Sequence, residues 1–191
     1  MPRSAAATRR RILEAAYGLF RRQGFGRVSM DEIAAAARLT KRTLYHHFPS
    51  KDQLLSSVLE AQHELALQAF RSFGDKLAGS PEAIVEGMFR ELAVWADRPR
   101  WAGSGFTRLV IELADLPGHP ARVIARRHKA QLEACLAELL AGSGISQARD
   151  LARAVWLLSE GAISLILVHG DRGYSRAAAA AARTLVRSYR R

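Results

Sequence analysis

Cysteine is almost absent from this chain. Its single example among 191 residues, Cys135, excludes an intramolecular disulfide. The residue sits in the apolar helical pattern LEACLAELL and reads as a small core side chain. The opening residues, MPRSAAATRRR, carry no apolar core of the kind a signal peptide needs. The longest apolar stretch, around 162–168, is too short to span a membrane, so the expected location is the cytoplasm. No segment alternates like a strand over useful length, and no internal repeat stands out. A phosphate-binding glycine loop and a nucleophile elbow are both missing. The Gly-Ser-Gly triplets at 103–105 and 142–144 lack the flanking pattern and read as loops. His63, His119, His128 and His169 show no metal-ligand spacing. No metal, cofactor or enzymatic activity is expected.

Acidic residues are also scarce, and unevenly so. The chain has 29 Lys+Arg against 18 Asp+Glu, a formal net charge of +11. Residues 1–51 hold 11 of the basic and 3 of the acidic residues, so most of the excess lies there. That asymmetry suits a phosphate-rich partner. Hydrophobic residues make up 49% of the chain, enough for a full core.

What is present in that basic region is a pair of closely spaced helix caps. Ser29 is followed three residues later by Glu32, a capping box that opens a helix with Met30, Ile33, Ala34 and Ala37 at helical spacing. Thr40 can cap a second, short helix, Lys41 to His47. Pro49 ends it by biasing Phe48 away from helical angles. Ser50 with Gln53 opens a third. Two short helices about a tight turn suit a helix-turn-helix reader of duplex DNA. Leu44, Phe48 and at the edge His47 can face inward. Lys41, Arg42, Thr43, Tyr45 and His46 are left outward or along the edge. Thr40, Thr43 and Tyr45 can engage phosphates, Lys41 and Arg42 base edges, and Lys51 a phosphate from the start of the next helix. Arg9, Arg10 and Arg11 either extend the backbone contacts or form a mobile arm.

These motifs resemble a known family. RRRILEAAYGLFRRQGFGRVSMDEIAAAA followed by TKRTLYHHFPSKDQLL is similar to the DNA-binding region of the TetR/AcrR transcriptional regulators. The resemblance covers about a quarter of the chain. It departs at Arg38, where the family usually has glycine in the turn, and at Arg42, where it often has a small residue. Arg38 would have to accept a left-handed backbone, at a cost of roughly 1 kcal/mol.

Further helices are expected over about 4–23, 51–73, 81–96, 106–116, 121–141, 147–169 and 175–190. The fold class is therefore all-α, with about nine helices. A three-helix domain over 1–50, with the helix-turn-helix at about 30–48, is followed by a larger helical domain over 51–191. The resemblance implies that this second domain binds an effector and dimerises. Phe70, Met88, Phe89, Trp95, Trp101, Phe106 and Trp156 are the candidate pocket residues, although aromatic residues at helical spacing are more often plain core. The apolar helix at 154–168 and the small-residue stripe of the last helix are candidates for a four-helix interface with a second copy. On the first lie Val155, Leu158, Ala162, Leu165 and Ile166. On the second lie Ala178, Ala181, Ala182, Leu185 and Tyr189. Leu165 and Ile166 differ by about 100° around the helix, so one of them should face the partner.

The function expected is a dimeric, ligand-responsive regulator, most simply a repressor. It would leave a palindromic double-stranded operator when a small apolar or amphipathic effector binds. The alternative is a DNA-binding architectural protein, or an activator, without an effector.

Overall fold

The computed structural model describes residues 4–76 and 79–190. Residues 1–3 and 191, the outer ends of the two expected domains, lie outside the described residues. Nine helices and no strands are found among the described residues, as the periodicity predicts: α1 (Ala5–Gln23), α2 (Met30–Ala36), α3 (Lys41–His47), α4 (Lys51–Lys76), α5 (Pro81–Ala96), α6 (Gly105–Glu112), α7 (Pro120–Gly142), α8 (Ala148–His169) and α9 (Gly173–Tyr189).

Local chemistry explains most of the boundaries. Ser4, Ser29, Thr40 and Ser80 each accept an amide hydrogen at the start of a helix, and Pro81 occupies the first turn of α5. The Ser29–Glu32 capping box has both of its reciprocal bonds. Gly170 adopts the left-handed conformation that closes α8.

The chain divides into two compact units, at places other than residue 50. One comprises residues up to Leu65 with Gly105–His128; the other comprises Ala66–Ser104 with Lys129–Arg191. The reason is burial. In the first unit, Ile12, Ala16, Val28, Ile33, Leu44, Phe48, Leu54 and Val58 form the core of the N-terminal helices. A second cluster joins Phe25, Leu55 and Leu59 to Phe106, Leu109 and Leu113 of the α6 region and to Ala121, Ile124 and Ala125 of α7. The N-terminal helices are thus completed by residues 47 to 100 positions away. The second unit has its own core, built on Val85, Phe89, Leu136, Leu140, Leu151, Val155, Ala182 and Val186.

Helix α8 also departs from expectation. It is 22 residues long, and an 18-residue stretch of it has a mean hydropathy of 1.7, enough by length and composition to cross a membrane, with 33% of that stretch buried inside the protein. The departure is from the expectation that the stretch around 162–168 is too short to span, since the apolar character runs through 154–168 as the sequence pattern also has it. That pattern is bordered by Arg153 and broken by Glu160, which pair with Glu133 and Lys129 of α7.

Candidate nucleic-acid interface

The turn between α2 and α3 is made without glycine. Arg38 has φ +53°, a left-handed backbone held by Arg38 N–H to Ala35 O and Leu39 N–H to Ala34 O. The Arg11 guanidinium of α1 donates to the carbonyls of Ala37 and, at 3.2 Å, Arg38. A cation thus binds the two carbonyls that the turn leaves outside the helix. Arg9 donates to Ser57 Oγ at 3.1 Å and lies over the Phe48 ring, and Arg10 faces Glu14. The three arginines belong to α1 rather than to an arm, and Arg11 serves the turn.

Beyond the turn, Thr40 Oγ1 accepts from Thr43 N–H and lies 2.8 Å from Thr43 Oγ1. Leu44 and Phe48 are buried, which sets the roll of α3. Arg42, Tyr45 and His46 are consequently exposed. Positions three and four apart share a helix face, so these three form one surface. Tyr45 is 41% exposed, well short of a buried tyrosine. Lys41 is also exposed but engaged: its Nζ lies 2.9 Å from Asp31 of α2. The Asp31 carboxylate, through its hydrogen bond and then its charge, raises the Lys41 pKa.

Lys51 departs from the sequence expectation. Its ammonium donates to the carbonyls of Phe25 (3.0 Å), Val28 (3.1 Å) and Gly26 (3.4 Å) and lies 4.4 Å from the centre of the Phe25 ring. An ammonium has three donors, and all three are directed at this loop. Glu112, at the end of α6, holds the other side of the same loop. Its carboxylate accepts from Phe25 N–H at 3.0 Å and Gly26 N–H at 2.5 Å. Arg108 adds a bond to Arg21 O. Sequence reasoning missed Glu112 and Arg108. They lie 86 and 87 residues from their partners, and no local motif marks them.

The profile of bacterial regulatory proteins of the tetR family matches residues 12–58, the segment that contains α2, the turn and α3. Over 71 residues the chain is 41% identical to the HTH-type transcriptional regulator UidR of Escherichia coli (strain K12), covering 37% of this chain and 36% of that one. It is 38% identical to SrpR of Pseudomonas putida over 85 residues, 44% and 39% of the two chains. The matched stretch therefore spans little more than a third of these curated relatives. A tetR-type regulator from Streptomyces avermitilis superimposes with a TM-score of 0.81 and 28% identity, covering 95% and 97% of the chains. Residues 12–58 thus carry a tetR-family DNA-binding region, and the chain as a whole has the fold of a tetR-type regulator. A TetR-family regulator from Streptomyces coelicolor shares its fold at a TM-score of 0.85, with 24% identity and 96% of both chains covered.

Five of the seven candidate pocket residues meet in the second unit: Met88 and Phe89 lie in its core, with Phe70, Trp95 and Trp156 packed against it. Phe106 is in the first unit, stacked on His128 at 3.7 Å, and is core. Met88 and Phe89 are buried in the core of the second unit, where Phe89 O accepts from Ser175 Oγ at 2.6 Å. Trp95 and Trp101 pack edge to face at 5.3 Å. Trp156 packs on the core with Lys129 5.9 Å from its ring centre. Phe70 alone lines an open cleft, of about 430 Å³, together with residues of α4 and α7.

The proposed dimer residues divide by face. Val155, Ala162, Ile166, Ala178 and Ala182 are buried within the subunit, so they are core rather than interface. Leu158, Leu185 and Tyr189 are half-buried against that core. Leu165, 40% exposed, and Ala181 face outward. The alternative posed by neighbouring positions is thereby resolved: Leu165 is the outer residue and Ile166, 2% exposed, the inner one. The exposed apolar stripe of α8 includes Leu157 at 73% and Val168 at 74%, which the sequence candidates omit.

Proposed function

We propose that this chain is a TetR-family regulator, homodimeric and DNA-binding, with α3 as its recognition helix and a small-molecule effector as its signal. The observation that carries the reading is the face of α3. Arg42, Tyr45 and His46 lie exposed together, on a helix oriented by buried Leu44 and Phe48 and capped by Thr40. Lys41 flanks that face. Arg42 can engage a guanine edge with two parallel bonds, and Thr40, Thr43 and Tyr45 can bond phosphates. Lys51 is a support of the module rather than a DNA contact. Supporting the dimer is the stripe Leu157, Gly161, Leu165 and Val168 on α8, apolar apart from the bare backbone of Gly161. A second copy would cover it and place two recognition helices about one helical turn of DNA apart, roughly 34 Å or a multiple of it. Repression, relieved when the effector binds, and a cytoplasmic location complete the reading.

The test is fluorescence anisotropy with DNA fragments from either side of the protein's own coding region, set against unrelated duplexes. One fragment containing a near-palindrome should bind at least tenfold more tightly than the rest. Equal affinity for every duplex would favour an architectural protein. Arg42→Ala should lose about 1–3 kcal/mol, and only on sites carrying the contacted base. A uniform loss would make Arg42 a phosphate contact.

A further inference from the structure

We infer that the cleft between the later parts of α4 and α7 is a binding site for a small amphipathic carboxylate, with Arg71 as the head-group partner. Its walls are two helix faces, each at the spacing i, i+3, i+4, i+7. Leu67, Phe70 and Arg71 line one, with Gly74 continuing that face beyond the cleft, and Gln131, Ala134, Cys135 and Glu138 line the other beside Leu139. Facing stripes at this spacing ordinarily interdigitate. Here they close only at one end. At Gly74 a Cβ would stand 2.7 Å from Leu139 Cδ2, so the missing side chain allows a close approach. Away from that end, Ala134 is too short to fill the gap, and about 430 Å³ stays open. That volume falls within the range of roughly 300–1,000 Å³ common for small-molecule sites.

The lining is amphipathic. Leu67 is buried, and Phe70 and Cys135 are half-buried. Arg71, Gln131 and Glu138 are exposed around them, and neither Arg71 nor Glu138 has an ion-pair partner among the described residues. A guanidinium presents a planar fork that matches a carboxylate, whereas an isolated glutamate would select an amine. Residues 52–191 hold 18 Lys+Arg against 15 Asp+Glu, and that small positive excess favours anions over cations. An apolar tail would cover Leu67 and Phe70. Of the aromatic residues nominated from the sequence, Phe70 lines the cleft, and it packs, with Trp95 and Trp156, on the core that contains Phe89. The inference rests on the proposed effector response for its regulatory meaning, and the experiment separates the two.

Cys135 is the sole cysteine and stands in the wall, so it reports occupancy directly. The full chain is treated with iodoacetamide, and alkylation is followed by mass spectrometry with decanoate, decanol or decyltrimethylammonium added below their micelle concentrations. Decanoate should slow alkylation at about tenfold lower concentration than the other two. Arg71→Gln should remove that tenfold preference and leave decanol unaffected, with circular dichroism confirming an unchanged fold. Failure of decanoate to protect, protection equal to decanol, or stronger protection by the cation would each overturn the inference. Operator affinity is read in parallel. Protection without DNA release would leave the site standing and reject the effector response. DNA release without protection would do the reverse.

Discussion

The α2–α3 region and the α8–α9 region are both helix pairs, yet they are defined in opposite ways. Helices α2 and α3 have seven residues each, below the length at which an isolated helix is stable. Each has a side-chain cap, and their surroundings supply ionic ties: Arg11 on the turn, Lys51 and Glu112 on the loop before α2. Helices α8 and α9 have 22 and 17 residues; neither N-cap residue, Gln147 or Arg172, makes a side-chain cap bond, and Asp171 reaches the first amide of α9, at Gly173. They are held through their faces, by Val155, Ala162, Ala178, Ala182 and Val186 in a shared core. Short helices here depend on what satisfies their ends, and long ones on what covers their sides. Damage should follow the same division.

The largest effect is expected from a charge in the face-defined region. Ile166→Arg should unfold the second unit or lower its stability by about 3–5 kcal/mol, because the cation would be buried without a partner. Leu165→Arg, one position along, should keep its melting temperature within a few degrees and lose self-association instead. Circular dichroism melts with light scattering check both. Equal destabilisation by the two variants would break the comparison.

Next come the ties on the loop before α2. Lys51→Met and Glu112→Ala each leave backbone groups without partners and should lose about 1–3 kcal/mol in urea unfolding. Lys51→Met should not change the salt dependence of DNA binding. A phosphate contact would reduce the slope by about one. A reduced slope would return Lys51 to the DNA-contacting set.

A smaller loss, about 1 kcal/mol, is expected from Ser29→Ala, which removes the capping box. Arg38→Gly should gain a similar amount by relieving the left-handed backbone, seen as a higher urea midpoint. A loss instead would mean that glycine's freedom in the unfolded chain outweighs the strain.

The smallest effect is the pH dependence of the caps. Bonds from the Ser29 backbone, then from its hydroxyl, hold the Glu32 carboxyl below the usual carboxylate range. The folded value is depressed, so its contribution is present above the unfolded pKa and is lost as pH falls through the folded one. Lys41 has the opposite sign. Its raised value means a contribution present below the unfolded pKa and lost as pH rises through the folded one. Glu32→Gln should flatten the acid limb of the stability profile and leave the alkaline limb alone.

How much was legible follows from distance along the chain. The caps at Ser29, Thr40 and Ser80 act over three residues, so a short window of sequence contains both partners. The buried Leu44 and Phe48, and with them the outward face of α3, follow from the same window. Helical period and breakers located the nine helices to within a few residues. The left-handed Arg38 could be anticipated through the family resemblance, in which glycine usually stands at that place in the turn. The ties of Arg11, Lys51 and Glu112 join residues 23 to 87 apart, and no local pattern encodes such a pair.

The sequence by itself determined the all-helical class, the helix-turn-helix and its exposed basic and aromatic face, because each rests on contacts within one or two turns of helix. Tertiary structure decided which side of α8 is core, that Phe106 belongs with the N-terminal helices, that Lys51 and Arg11 hold backbone carbonyls, and that an open cleft lies beside Phe70. A helical period states that a stripe exists. Its phase against the rest of the molecule is set only when distant helices pack, and a rotation of 100° separates buried Ile166 from exposed Leu165.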